Sequence, residues 1–293
     1  MTEIWIREVG PRDGLQAEAP VPAVARLRLI EALVGAGVRQ IEACSFVSPK
    51  AVPAMAGAAE VMAGVPRGEG VRYYALVPNV RGAELALQSR VDGLTVTVSA
   101  SAVYNEKNVH MTIDESVTQV EAICALSGSI PVEAVISCSF GSPYEGEIAP
   151  TEVAALGRRL MGAGCDALVL ADTTGMATPR RIDDVLRATG TRVGLHLHDT
   201  RGTALVNAYA AIRMGVGQFD TAVGGLGGSP FAAGAAGNLA TEDLVHLTDD
   251  LGLSTGIDLD RLLEASALVA EIVGHEVPSR VAGAGPRTRL APA

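Results

Sequence analysis

Ile6-Arg-Glu-Val-Gly-Pro-Arg-Asp-Gly-Leu-Gln16 opens the chain with a short apolar strand and leaves Arg12 and Asp13 side by side just past its end. Far downstream, Gly194-Leu-His-Leu-His-Asp-Thr200 sets two histidines two residues apart on another strand. Side chains two apart on a strand face the same way, so His196 and His198 can grip one ion, with Asp13 as an oxygen ligand where the two strands are neighbours. The pattern outlines a divalent-metal site at the ends of strands.

Outward from these two segments, apolar and β-branched runs recur at residues 4–9, 40–46, 72–77, 93–99, 132–140, 167–171, 192–198 and 218–223. Ala/Leu-rich stretches of helical spacing lie between them, at 21–36, 52–63, 116–127, 150–162, 179–188 and 202–214. About eight β/α repeats without a change of composition fit an α/β fold of the (β/α)8 TIM-barrel type, with a doubly wound open sheet as the alternative. A further helix is expected at 259–273, so residues 1–277 read as one catalytic barrel domain with an additional C-terminal helix. The remainder, 278–293, is rich in Ala, Pro, Gly and Arg and is expected to be a mobile tail.

A barrel gathers functional groups at the C-terminal ends of its strands. The unusual polar residues sit there: Arg12 and Asp13 after the first strand, Glu42 and Ser45 on the second, Asn79 after the third, Asp172 after the sixth, His196 and His198 on the seventh. The glycine-rich stretch Gly224-Gly-Leu-Gly-Gly-Ser-Pro-Phe-Ala-Ala-Gly-Ala-Ala-Gly-Asn238 follows the eighth, its glycines freeing the backbone to turn tightly or move. Thr241 is then expected to cap a helix whose acidic residues Glu242 and Asp243 suit the positive end of the helix dipole.

Composition limits the function. The 293 residues are 48% hydrophobic but only 3% aromatic, so aliphatic side chains must fill the core. A net charge of −10 argues against nucleic acid or an anionic membrane as partner, and an anionic substrate must be met by local charge. The four cysteines, Cys44, Cys124, Cys138 and Cys165, contain no Cys-x-x-Cys pair, which speaks against structural zinc or a dithiol redox motif and for reduced thiols. With no leader-like start and no run long enough to span a bilayer, a cytoplasmic location is expected.

Two imidazoles, the Asp13 carboxylate and the Asn238 amide oxygen form a thiolate-free set that suits Mg²⁺ or Mn²⁺ and leaves positions for substrate oxygens. The alternative is that both histidines are satisfied lumen residues and Asp13 a cap.

Seven segments, Val9-Gly-Pro-Arg-Asp-Gly-Leu-Gln16, Glu42-Ala-Cys-Ser-Phe-Val-Ser-Pro-Lys50, Asn105-Glu-Lys-Asn108, Pro143-Tyr-Glu-Gly146, Asp172-Thr-Thr-Gly175, His196-Leu-His-Asp-Thr200 and Gly237-Asn-Leu-Ala-Thr-Glu-Asp243, closely resemble the 3-hydroxy-3-methylglutaryl-CoA lyase family. The resemblance runs from residue 4 to about residue 270. Related metal-dependent barrels, the isopropylmalate and homocitrate synthases and the oxo-acid aldolases, share the Arg-Asp pair and His-x-His. They typically read Thr-Leu-Arg-Asp-Gly where this chain has the lyase form, Gly10-Pro-Arg-Asp-Gly-Leu-Gln16.

The resemblance implies retro-Claisen cleavage of a 3-hydroxyacyl-CoA to acetyl-CoA and an oxo acid. It implies that Asp13, His196, His198 and Asn238 bind the metal, which acidifies the substrate hydroxyl, and that Arg12 stabilises the enolate oxygen. Glu42 and Asp172 are expected to orient ligands or relay protons, and the base is left open among Asp13, His196 and Glu42. Lys50, Asn105, Lys107 and Asn108 are expected to contact the CoA portion, and barrels of this group are commonly dimers. Two positions depart from the family, Ser229 and Ser142, where cysteine is usual; the first is the proton-transfer position of the glycine-rich loop. A hydroxyl is a far poorer acid than a thiol. The alternatives are therefore a related acyl-CoA substrate, such as a citramalyl or longer-chain analogue, or a barrel that binds metal and CoA with little turnover.

Overall fold

The computed structural model describes residues 3–68, 70–228 and 237–289. Its strands are β1 (Trp5–Glu8), β2 (Gln40–Ser45), β3 (Arg72–Leu76), β4 (Gly93–Ser99), β5 (Val132–Ser137), β6 (Ala167–Asp172), β7 (Gly194–Leu197) and β8 (Gln218–Thr221). They form one closed parallel sheet in chain order. Arg7 of β1 lies opposite Gln40 of β2 on one side and Asp220 of β8 on the other, so there is no open edge and the doubly wound alternative falls.

Helices α1 (Ala23–Gly35), α2 (Ala58–Gly64), α3 (Val80–Gln88), α4 (Ala102–Val109), α5 (Ile113–Ser127), α6 (Pro150–Gly162), α7 (Pro179–Thr189) and α8 (Ala204–Met214) connect successive strands. After β8 come α9 (Thr241–Asp250), α10 (Leu259–Val273) and the short α11 (Arg280–Ala284). With few aromatics available, close approach does the packing. Helix α8 buries Ala204, Ala208 and Ala211, four and three residues apart, on one face, while α1 buries Leu29, Ile30 and Leu33. Among the described residues no helix is long and apolar enough to cross a membrane.

Several local expectations are corrected. Helices α3 and α4 are additions to the expected set: both are short, and the polar sequence of α4, Ala-Val-Tyr-Asn-Glu-Lys-Asn-Val, carries little helical period. The helix expected over 52–63 is split: a 3₁₀ turn at Pro53–Met55, Gly57 with φ of 78°, then α2. Strand β5 ends at Ser137 rather than at 140, where Cys138 turns the chain with a left-handed φ of 57°. The cap of α9 is Ala240, not Thr241. Residues 279–284, in the segment expected to be a mobile tail, carry α11, and Asp243 accepts from the Ser279 hydroxyl and the Val281 amide.

The exit from β8 is tied to β1 by one buried carboxylate. Glu8 accepts from the Gly10 and Val223 amides at 2.7 and 2.8 Å and from the Thr241 hydroxyl at 2.6 Å, joining β1, the turn after β8 and the start of α9. Burial pushes its pKa up from 4.5 to about 7 against the pull of these donors. Between those two values the folded chain holds a proton that the unfolded chain has released. The contribution of Glu8 is thus fully present below about 4.5 and is lost as pH rises through about 7. Urea unfolding of wild type and Glu8→Gln from pH 4.5 to 8 should show the stability difference moving in the variant's favour by on the order of 2 kcal/mol with rising pH. A difference independent of pH would contradict this assignment.

Candidate active site

Parallel closure brings the C-terminal ends of β1, β2, β6, β7 and β8 to one rim. The chain leaves β1 through a single wide turn, Gly10–Gly14, which is buried at Gly10, Pro11, Arg12 and Gly14 and presents Arg12 and Asp13 to that rim. His196 lies on β7 and His198 just beyond it, paired in an isolated bridge with Asn238. This bridge returns the residue after the glycine-rich stretch to the same place.

The nitrogen and oxygen atoms converge. His196 Nε2 and His198 Nε2 are 3.1 Å apart, and Asp13 Oδ2 is 3.9 Å from His196 Nε2. Facing atoms of the three side chains all lie within 4.8 Å of one another. Two imidazole lone pairs repel at that separation unless a proton or a cation lies between them. The 3.1 Å between the two Nε2 atoms is about the separation of adjacent ligands on one octahedral ion with bonds of about 2.1 Å. The Asn238 amide nitrogen donates to Asp13 Oδ2 at 2.7 Å and to the Leu226 carbonyl at 2.9 Å. Its Oδ1 is buried without a hydrogen-bond partner, the atom expected to complete the ligand set.

Close backbone approach makes room for this cluster. At Gly227, with φ of 114°, a Cβ would lie 2.3 Å from the Asn238 amide nitrogen and 3.3 Å from Asp13 Oδ2. Only glycine fits there without displacing two of the converging residues.

Electrostatics favour the metal-binding forms. Burial pushes the Asp13 carboxyl up, but the charge of Arg12, then of His196 and His198, holds it far below the usual range. Burial and then the neighbouring His196 push His198 down to about 4, leaving the neutral imidazole that a metal requires. Against the effect of burial, the Asp220 hydrogen bond and the Asp13 charge raise His196. A wholly structural lumen pair would have its polar atoms satisfied, yet His198 Nδ1 and Asn238 Oδ1 have no partner.

Arg12 is buried and held by two carboxylates, its Nε donating to Glu42 and its Nη1 to Asp13. Among the described residues no hydrogen bond engages its Nη2. Glu42 is fully buried, and its second oxygen, Oε1, is unpartnered. Asp172 uses Oδ1 to accept from the Met176 and Ala177 amides at 2.7 and 3.0 Å, holding the turn after β6. Its Oδ2 is buried and free, and burial raises its pKa to about 7.

The residues expected to contact CoA are divided. The segments 105–108 and 143–146 do fold against one another: Glu145 accepts from the Ala102 and Val103 amides, and the Lys107 ammonium lies 5.2 Å from the Tyr144 ring centre. Lys50 and Lys107 are exposed and Asn108 is half-buried. Asn105 is a correction. It is buried, accepts from the Ser99 amide and donates to the Met111 carbonyl and Ser116 hydroxyl, so its side chain fixes α4 and has no group left for a ligand. Asn79 likewise caps α3 through the Gly82 amide. Ser142 is buried, donating to the Ser101 hydroxyl. Ser229 lies outside the described residues.

Sequence reading missed the charges below the rim. Arg7, Glu133 and Asp220 are buried in the barrel interior, with Arg7 donating to Asp220 from β1 and across to Glu133 on β5. The available signal was a charged residue inside each of three strands.

Comparison with known proteins agrees with this geometry. The chain is 42% identical to the mitochondrial hydroxymethylglutaryl-CoA lyase of Bos taurus over 290 residues, covering 96% of this chain and 89% of that protein. It is 40% identical to the cytoplasmic 3-hydroxy-3-methylglutaryl-CoA lyase of Rattus norvegicus over 295 residues, 98% of this chain and 86% of that one. The structure of an HMG-CoA lyase from Acinetobacter baumannii in complex with coenzyme A and 3-methylmalate matches with a TM-score of 0.95 at 40% identity, covering 100% of this chain and 98% of that chain. The HMGL-like family model matches residues 3–269, and the chain belongs to the HMGL-like family.

Proposed function

We propose that this protein is a divalent-metal-dependent carbon–carbon lyase that cleaves 3-hydroxy-3-methylglutaryl-CoA to acetyl-CoA and acetoacetate. The observation that carries the reading is the convergence of Asp13, His196 and His198 beside a buried arginine with an uncommitted nitrogen. The relatives' names favour this substrate over the citramalyl or longer-chain alternatives and over a barrel without turnover.

Asp13, His196, His198 and the Asn238 amide oxygen would hold Mg²⁺ or Mn²⁺, which supplies Lewis acidity toward the oxygens of a hydroxy acid. Arg12 is fixed by Glu42 and Asp13 with its remaining nitrogen directed to the thioester oxygen, where negative charge develops as the carbon–carbon bond breaks. Because both partners are anchored before substrate arrives, little reorganisation is needed at that moment. Asp172, titrating near neutrality with one free oxygen, is suited to hold or pass a proton at Oδ2, and Glu42 has a free oxygen for the same purpose. Lys50, Lys107 and Asn108 are proposed contacts for the CoA portion, and Ser229 is proposed to deliver the proton to the enolate, directly or through water. A cytoplasmic setting is proposed on the Rattus relative, whose name places it there.

Acetyl-CoA release from 3-hydroxy-3-methylglutaryl-CoA should require Mg²⁺ or Mn²⁺ and stop with a chelator, while Arg12→Met should lower kcat by about 10³-fold with the fold retained. Turnover that survives both the chelator and Arg12→Met would sink the proposal. Ser229→Cys should raise kcat about 10-fold or more, since a thiol is the better proton donor; an unchanged rate would remove Ser229 from the protonation step. Gly227→Ala should weaken Mn²⁺ binding at least about 10-fold by calorimetry while the thermal midpoint moves by only a few degrees, and unaltered affinity would place the metal elsewhere.

A further inference from the structure

His196, Asp220 and Arg7 form one row across three adjacent strands. Asp220 of β8 is in direct register with His196 of β7 on one side and with Arg7 of β1 on the other. The row begins at the candidate ligand His196, and all three side chains are buried.

The hydrogen bonds along it converge on Asp220 from both sides. Asp220 Oδ2 is 3.2 Å from His196 Nδ1. An ionised carboxylate can only accept, so Nδ1 carries the proton, and in the neutral ring the lone pair falls to Nε2, which faces His198 and Asp13. Arg7 grips both oxygens of the same carboxylate, Nε to Oδ1 at 2.9 Å and Nη2 to Oδ2 at 2.8 Å. Its third nitrogen, Nη1, is committed to Glu133 at 2.5 Å and to the Thr95 hydroxyl at 3.4 Å, and the guanidinium carbon lies 5.5 Å from the Tyr74 ring centre. With all three nitrogens engaged from opposite sides of the barrel, the plane of the Asp220 carboxylate is fixed, and with it the orientation of the imidazole. His198 has no such support, since its Nδ1 is unpartnered. The two histidines are thus unequal: one is braced from behind and the other is not.

We propose that Asp220 and Arg7 are positioning residues for metal binding, Asp220 by selecting the His196 tautomer and ring orientation, and Arg7 by locking Asp220 in the geometry that does so. This rests on the metal-dependent reading above. Neither residue touches substrate. Their role is exerted through His196, as carboxylate partners of metal-bound histidines commonly act.

The test is Mn²⁺ affinity, read from free Mn²⁺ by electron paramagnetic resonance on the full chain, for wild type, Asp220→Asn, Arg7→Lys, Arg7→Met and the Arg7→Met/Asp220→Asn double variant. Asp220→Asn keeps the shape but lets an amide donor face Nδ1, so affinity should fall about 10- to 100-fold. Arg7→Lys retains charge without the two-pronged grip and should fall by a smaller factor, which keeps the test alive if Arg7→Met, leaving Asp220 and Glu133 without their cation, does not fold. In the double variant, loss of Arg7 should add less than about twofold to the effect of Asp220→Asn, because both act through one hydrogen bond. Unchanged affinity in folded Asp220→Asn, or fully multiplicative effects in the double variant, would overturn the proposal while leaving the metal site standing. Wild type that binds no Mn²⁺ would overturn both readings.

Discussion

The parallel pairing of β8 with β1 is the constraint on which the molecule depends. Trp5, Ile6, Arg7 and Glu8 lie in register with Gln218, Phe219, Asp220 and Thr221, so segments more than 200 residues apart become neighbours. Asp13, just past β1, thereby meets Asn238, just past the glycine-rich stretch, at hydrogen-bond distance. Glu8 reinforces the seam from the same strand by accepting from both sides of it. Without that closure Asp13 would stand at an open sheet edge, far from Asn238.

Placing charges inside this barrel is costly, and at two arginines the structure offsets the cost by pairing. Arg7 faces Asp220 and Glu133, and Arg12 faces Asp13 and Glu42. A buried ion pair contributes little net stability, because desolvation offsets attraction, but it fixes geometry where apolar packing would allow drift. The two clusters stand at successive levels. The lower is fully partnered, while the upper retains free oxygens on Glu42 and Asn238. That difference separates the two levels: the lower is closed on itself, and the upper keeps buried acceptors free beside the converging side chains.

Much of this was legible in the sequence, for local reasons. Arg12 and Asp13 announce themselves by following a strand, and His196 and His198 by a spacing of two, which needs no knowledge of the rest of the chain. Asp220 and Arg7 were not legible, because a charge within a strand declares neither its face nor its partner, and theirs lie 213 residues apart. Asn105 was misread for the opposite reason. It sits in a recognisable motif, but an amide that accepts from Ser99 and donates to Met111 serves the backbone, and sequence does not distinguish an inward amide from an outward one. Thr241 was expected as a cap and is instead a bolt between Glu8 and Thr221.

The connection at the end of the chain carries a different implication. The Ser279 amide donates to the Gly224 carbonyl at 2.9 Å, while the Gly224 amide donates to Glu242 and the adjacent Asp243 receives Ser279 and Val281. Val277 lies so close to Gly224 that even a Cβ there would come within 2.8 Å of it. The segment before α11 and the turn leaving β8 are therefore fastened to one another at Gly224. Solvent exchange at the Ser279 amide requires this fastening at the exit of β8 to be broken, and it reports the local stability of that junction.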